Sequence, residues 1–304
     1  MDISAKLRSW PTVVSFILAL FPIAILIFIV VTLIDRSHIA IEYRGLSELL
    51  SGRFVSRITG SEPFSYGFLP AVWGTFILLV VTLAIALPIS LALAIFASEH
   101  STSFPGRMLR GLIGILAGIP PVVYAVIGVL LFNNLFVIPY QSTLTGGILL
   151  AMVAIPFMTP LIDDAIMNVP HHLKEGSLAL GATRWHTLQK IILPAALPGI
   201  VAAAGLGALK SIGDIMIAFR AIGYAPYIPH PFWDILSVPA PLTVTGAGLV
   251  GGVDPQVGAG GDPNTVQGLE TSVSYFSGIV LLVMALLIMV LVTILQRRFK
   301  KRLS

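Results

Sequence analysis

The chain contains no cysteine. That excludes disulfide frameworks, thiolate metal sites and a cysteine nucleophile. Charge is nearly as scarce. Asp, Glu, Lys and Arg make up 11% of the 304 residues, against about 25% in soluble domains. Walker-type phosphate loops are missing, which excludes ATP hydrolysis by that route. Hydrophobic residues fill 56% of the sequence. A soluble chain of this composition would expose large apolar patches and aggregate, so the solvent for most of it is a lipid bilayer. The net charge of +4 is concentrated in the final QRRFKKRLS. With no aromatic platform beyond Phe299, that cluster reads as a membrane-flanking positive end and not as a nucleic-acid site.

A span needs about 20 apolar residues. Six segments qualify: 13–34, 69–97, 108–132, 142–167, 191–219 and 274–295. Backbone groups in lipid must be satisfied internally, and the alternation of barrel strands is absent, so the segments are helices. The expected fold is all-α and polytopic, with six transmembrane helices. Residues 1–68 hold the first helix and an outer loop. Residues 69–304 form the core, with a polar loop at about 163–190 and a longer loop at about 221–271. Lys6 and Arg8 precede the first apolar run as in a signal peptide, but the run is too long and lacks a cleavage site, so it is read as a retained helix.

Lys and Arg set the orientation. Lys6 and Arg8 precede the first span, Arg107 and Arg110 follow the second, Lys174, Arg184 and Lys190 follow the fourth, and five basic residues close the chain. Both termini and the even-numbered loops are therefore expected in the cytoplasm. Arg36, Arg44, Arg53 and Arg57 in the first outer loop run against this, accompanied by Asp35, Glu42, Glu48 and Glu62. The glycine-rich stretch TGAGLVGGVDPQVGAGGDPN in the long loop lacks the Lys-Ser/Thr ending of a phosphate loop and reads as a mobile outer segment.

The polar stretch HHLKEGSLALGATRWHTLQKIILP, residues 171–194, stands out in a chain that otherwise avoids charge. It reads as two short helices around Gly181. Leu173, Gly176, Ser177 and Leu180 share one face of the first, and Thr183 is placed to cap the second. A helix lying on the membrane surface would satisfy this pattern.

The same stretch resembles the cytoplasmic loop of ABC-importer permeases: Glu-Ala-Ala, three residues, Gly, nine residues, then Ile-x-Leu-Pro. Here Glu175, Gly176 and Ser177 fill the first positions, and Gly181, Ile191, Leu193 and Pro194 match the remaining spacing. The resemblance implies a type I importer-permease fold in the inner, cytoplasmic membrane and a loop that docks on a separate ATPase. Two ATP-binding cassette ATPases, a homologous second permease and an external substrate-binding protein are the implied partners. ATP is then consumed by those partners, and no cofactor is bound by this chain.

Other segments resemble the PstC subfamily of phosphate importers, over most of residues 66–219. YGFLPAVWGTFILLVVTLAIALPISLALAIFASE resembles its second helix. LAGIPPVVYAVIG resembles LAGIPSVVYG, and ALKSIGDIMIAF followed by GYAP resembles GRALGETMAV followed by GNAP. Where that subfamily has Arg and Glu in the fifth helix, this chain has Lys210 and Asp214. Four residues apart on one helix, the two would share a face, either paired with each other or lining an anion path. Lys offers a point charge in place of the planar fork of Arg, which weakens selectivity for phosphate more than it weakens an anion path. A permease for another oxyanion such as sulfate, molybdate or a phosphonate is the nearest alternative. A membrane scaffold that binds an ATPase without transport is the more distant one.

The remaining candidates are weaker. Asp163 and Asp164 are sequence neighbours that diverge by about 100° on a helix, so they are not a facing catalytic pair. His171 and His172 are likewise adjacent, where a metal site favours i, i+4 spacing. Ser211 beside Lys210 lacks a glycine-flanked elbow for nucleophilic catalysis. No catalytic or metal site is expected. Pro120-Pro121 in the third span reads either as a tolerated kink or as a discontinuity, and Pro156 and Pro160 in the fourth carry the same ambiguity.

Overall fold

The structure, a computed structural model, describes residues 10–55, 65–100, 103–135, 141–222, 227–251 and 266–303. The fold is all-α, with five helices among the described residues long and apolar enough to cross a membrane, or six if a bent pair counts as one span. The first helix, α1 (Trp10–Leu49), runs well past the apolar segment that defines it in sequence. It breaks near its end at Gly45, whose φ of 72° lies in the left-handed region that favours glycine. A short antiparallel ladder, β1 (Phe54–Val55) with β2 (Ser65–Tyr66), leads to α2 (Leu69–Glu99).

The third span differs from the continuous helix expected at 108–132. Helix α3 (Phe104–Gly118) stops, the chain turns at Ile119 and Pro120, and α4 (Pro121–Leu135) leaves at 91°. Proline is well placed at a first helical position, where its missing N–H removes no helical bond. The Leu116 carbonyl freed by the stop accepts from Ile119 N at 3.2 Å and from the Tyr124 hydroxyl at 3.0 Å. The fourth span, α5 (Thr143–Met167), continues through both Pro156 and Pro160. Ser142 caps it, accepting from Thr145 N at 3.1 Å.

After α5 come two short helices, α6 (His171–Ala179) and α7 (Arg184–Thr187), then a π-helical turn at Leu188–Ile192 and α8 (Leu193–Ile212). The fifth span also departs from the expected 191–219 helix. It ends at Ile212 and restarts as α9 (Ile215–Ala221). In the long loop, residues 227–241 fold back on the bundle. Thr143 N and Leu144 N donate to the Ser237 and Ile235 carbonyls at 2.9 and 2.8 Å, and the Trp73 indole donates to Phe232 O at 3.1 Å.

The glycine-rich stretch begins inside a helix, α10 (Leu242–Gly251), rather than in a mobile loop. Leu242, Val244 and Leu249 are buried, and a Cβ on Gly246 would stand 2.1 Å from Ser277 Oγ. Glycine there permits close approach of helices, as is common in membranes. The rest of that stretch, 252–264, lies outside the described residues. The last helix is α11 (Val266–Leu303).

The spans run antiparallel in a consistent way. Leu33 meets Gly278, and Ser272 Oγ donates to Arg36 O and accepts from Ala40 N, so α1 and α11 lie head to tail. Gly205 of α8 meets Val292 of α11. The start of α1, the end of α11 and the α6–α7 loop therefore share one end of the bundle. The centre is packed with small residues: Ala86, Ala94, Ala151, Ala154 and Ala203 surround Met158 and Ile162. Lipid supplies no hydrophobic drive for helices to associate, so close van der Waals contact between small side chains has to.

One close approach joins α5 to α2, where a Cβ at Gly147 would lie 2.4 Å from Val81 Cγ1. Gly147→Ala is expected to lower stability by about 1–3 kcal/mol through overpacking. Gly114→Ala on α3, which meets open space, should stay within about 0.5 kcal/mol. Thermal unfolding of the two variants in detergent checks the difference.

Candidate coupling loop and charged break

The α6–α7 loop is built by its own backbone. Leu180 N and Gly181 N donate to the Gly176 and Leu178 carbonyls at 3.2 and 3.0 Å, and Ala182 N reaches Ser177 O at 3.2 Å. These bonds end α6 over Gly181, whose φ of 83° requires a residue free of Cβ strain. Thr183 then caps α7, accepting from His186 N at 3.2 Å, as the sequence suggests. The hydroxyls of Ser177 and Thr187 meet at 2.9 Å in a buried contact that fastens the two helices together. Ser177 therefore points inward, away from the exposed Leu173, Gly176 and Leu180 with which sequence spacing groups it.

What remains outward is distinctive. Glu175, Gly176 and Gly181 are exposed, and neither glycine has a neighbour within 4 Å of where a Cβ would sit. Leu180 is 91% exposed and Trp185 61%. Ile191, Leu193 and Pro194 are half-buried where the π turn passes into α8. The arrangement is a rigid, knob-like projection with an apolar tip and one carboxylate.

Two ion pairs brace this end, and both escape the sequence reading. Arg110 of α3 makes a two-pronged contact with Asp163 of α5, Nε to Oδ2 at 2.8 Å and Nη2 to Oδ1 at 3.2 Å. Lys174 of α6 meets Glu99, the last residue of α2, at 3.0 Å. Asp163 is buried and its neighbour Asp164 exposed, which fits their divergence around the helix. Arg110, counted in sequence as an orientation marker, is also a structural partner. The signal that could have found both pairs is a lone acid or base at a span end with a complementary charge at another end on the same side.

Deeper in the bundle, beside the middle of α5, Lys210 and Asp214 do not share a helix. Lys210 lies in the last turn of α8, and Asp214 occupies the position before α9, with Gly213 between the helices. No ion pair joins them among the described residues. Each charge suits the helix end it occupies: a cation at a C-terminus, an anion at an N-terminus. Asp214 is buried at 8% exposure, whereas Lys210 is exposed.

Residues 88–236 match the family described as the binding-protein-dependent transport system inner membrane component. The chain is 32% identical over 248 residues to the probable ABC transporter permease protein YqgH of Bacillus subtilis, covering 80% of this chain and 75% of that one. It is 31% identical over 190 residues to the phosphate transport system permease protein PstC of Pasteurella multocida, covering 55% and 59%. Among solved structures it is similar to a bacterial alginate ABC transporter in complex with an alginate-bound periplasmic protein, at a TM-score of 0.61 and 18% identity over 99% of each chain. That likeness concerns the fold alone. The chain belongs to the binding-protein-dependent transport permease family: it is a multi-pass membrane subunit of an ABC importer.

Breaking the Arg110–Asp163 contact leaves a buried carboxylate without its partner. Arg110→Ala is expected to destabilise the subunit by about 1–3 kcal/mol, and the exposed Arg107→Ala by less than about 0.5 kcal/mol. Denaturation midpoints of the purified protein distinguish the two. Equal midpoints would show the pair to be superficial.

Proposed function

We propose that this chain is a permease subunit of an importer for inorganic phosphate. It works with a homologous second permease, two ATP-binding cassette ATPases and an external substrate-binding protein. The observation that carries the coupling half of the reading is the α6–α7 projection. Its backbone is closed over the left-handed Gly181, and its outer surface exposes Glu175, Gly176, Leu180 and Trp185. A small-residue knob with an apolar tip suits a cleft on an ATPase. ATP binding there would displace the knob and rock the spans, giving alternating access. The shared end of the bundle that holds this projection, the start of α1 and the end of α11 is then cytoplasmic, in agreement with the clusters of Lys and Arg.

Phosphate is favoured by the similarity to PstC and by the exposed Lys210 at the break in the fifth span. A point charge on a flexible stem attracts an oxyanion without gripping it, as suits a path that must release its cargo. The same lysine in place of arginine favours a second reading, a permease of this build for another oxyanion. Competition against labelled phosphate by sulfate, molybdate and a phosphonate separates the two.

Uptake of labelled phosphate is the direct test, in phosphate-starved cells that lack their own high-affinity importer and carry this chain with its operon partners. The wild type should take up phosphate. Lys210→Ala should lose about tenfold or more at equal membrane levels, an effect worth about 1.4 kcal/mol. Unchanged uptake would make Lys210 structural. Gly181→Arg should insert normally but neither transport nor retain ATPase on purification. Normal transport by that variant would overturn the docking role.

A further inference from the structure

The neighbouring residues Lys174 and Glu175 face in different directions. Glu175 points out from the bundle, while Lys174 turns inward to Glu99 at 3.0 Å, their side chains 37% and 22% exposed. Glu99 is an unusual choice for its position. It closes α2, and a carboxylate at a helix C-terminus is disfavoured by the helix dipole. Local helix physics does not ask for an acid there, but Lys174 does.

The surroundings sharpen the point. Helix α6 packs on α7 and on the π turn, with no broad contact against α2. Between α6 and the end of α2 lies a cavity of about 140 Å³, lined by Ser98, Glu99, Met167, His171, Lys174 and Ile192 among others. Side-chain packing therefore does not join α2 to the projection. The ion pair spans the gap that packing leaves. Further into the bundle, α2 makes its closest packing with α5, at Gly147 and Val81.

We propose that Glu99 and Lys174 are positioning residues for coupling: their ion pair makes α2 move with the α6–α7 projection when the ATPase displaces it. This inference rests on the docking role proposed for that projection. The route runs from the docked knob through Lys174 to Glu99 at the end of α2, and from α2 into α5. The chain connection from α5 to α6 through residues 168–170 supplies a covalent link to α5 but none to α2. Without the ion pair, the knob pulls directly on α5 and α8, and reaches the end of α2 only indirectly through their packing.

The native absence of cysteine allows a direct test. Ile89→Cys on α2 and His172→Cys on α6, both exposed positions, can carry spin labels in the complete complex with its partner permease and ATPases. Distance distributions by pulsed electron resonance are recorded without nucleotide and with Mg-ATP. With Glu99 and Lys174 intact, one narrow distance is expected in both conditions. In Glu99→Gln or Lys174→Met, Mg-ATP should add a second, displaced population. The exchanged pair Glu99→Lys with Lys174→Glu should restore the single distance. ATP consumed per phosphate imported should rise about fivefold or more in the single variants, the lower range for coupling between sites, and return in the exchanged pair.

Distributions identical in all forms of an assembled complex would overturn the inference while leaving the docking role standing. Failure of the unlabelled wild-type chain to hold ATPase at all would take down the docking role and this inference with it.

Discussion

Inside a bilayer a helix can stop only where the groups it frees find new partners. That single requirement organises this protein. At Ile119–Pro120 the third span turns through a right angle. The turn is tolerated because proline offers no N–H to lose and because the Tyr124 hydroxyl reaches the Leu116 carbonyl. At the outset of α5, two amides that a helix start leaves bare are taken up by carbonyls of residues 235 and 237, which fold back for the purpose. The charged residues at the Gly213 break sit on the helix ends that favour their sign. Each irregularity is placed where the chain itself supplies the missing partner.

The same economy of groups explains how the subunit holds together with so few large side chains at its centre. Alanine and glycine bring helices near enough for dispersion to act over their whole length. At the end that carries the projecting loop, charge fastens spans to one another and to that loop. Lys210 and Asp214 lie deeper, at the break in the fifth span beside the middle of α5. The subunit is thus tightly joined along its length, with one charged interruption inside it.

The sequence discloses this plan unevenly. Spans are legible because lipid imposes a length and forbids charge, and the bounds of α2 and α5 fall within about two residues of the apolar runs, the usual uncertainty of helix ends. The loop motif is legible because a left-handed glycine and a capping threonine are local requirements. The corner at Pro120-Pro121 is not, since a proline pair is equally consistent with a bend and with a stop. Helix α10 was hidden by its glycines, which signal flexibility in water but close packing in a membrane protein. The ion pairs were hidden by distance along the chain: their partners are 53 and 75 residues apart, and nothing local links them. Lys210 and Asp214 looked like a helical pair because spacing alone cannot reveal that the helix ends between them.

The right-angled third span carries a consequence for the outline of the subunit in the membrane plane. Each leg has 15 residues, which at about 1.5 Å per residue is about 22 Å. Neither leg alone matches the roughly 30 Å hydrocarbon layer. Two perpendicular legs cannot both follow the membrane normal. The chain must therefore jut sideways by something on the order of 15–20 Å, however the bend is tilted. Its outer surface carries Leu112, Ile115, Val122, Val126, Ile127 and Leu130, all apolar and all exposed on the single subunit. Both legs pack on the bundle, so this face is broader than one straight helix would make it, and its apolar outer surface is left to lipid or to a neighbouring chain.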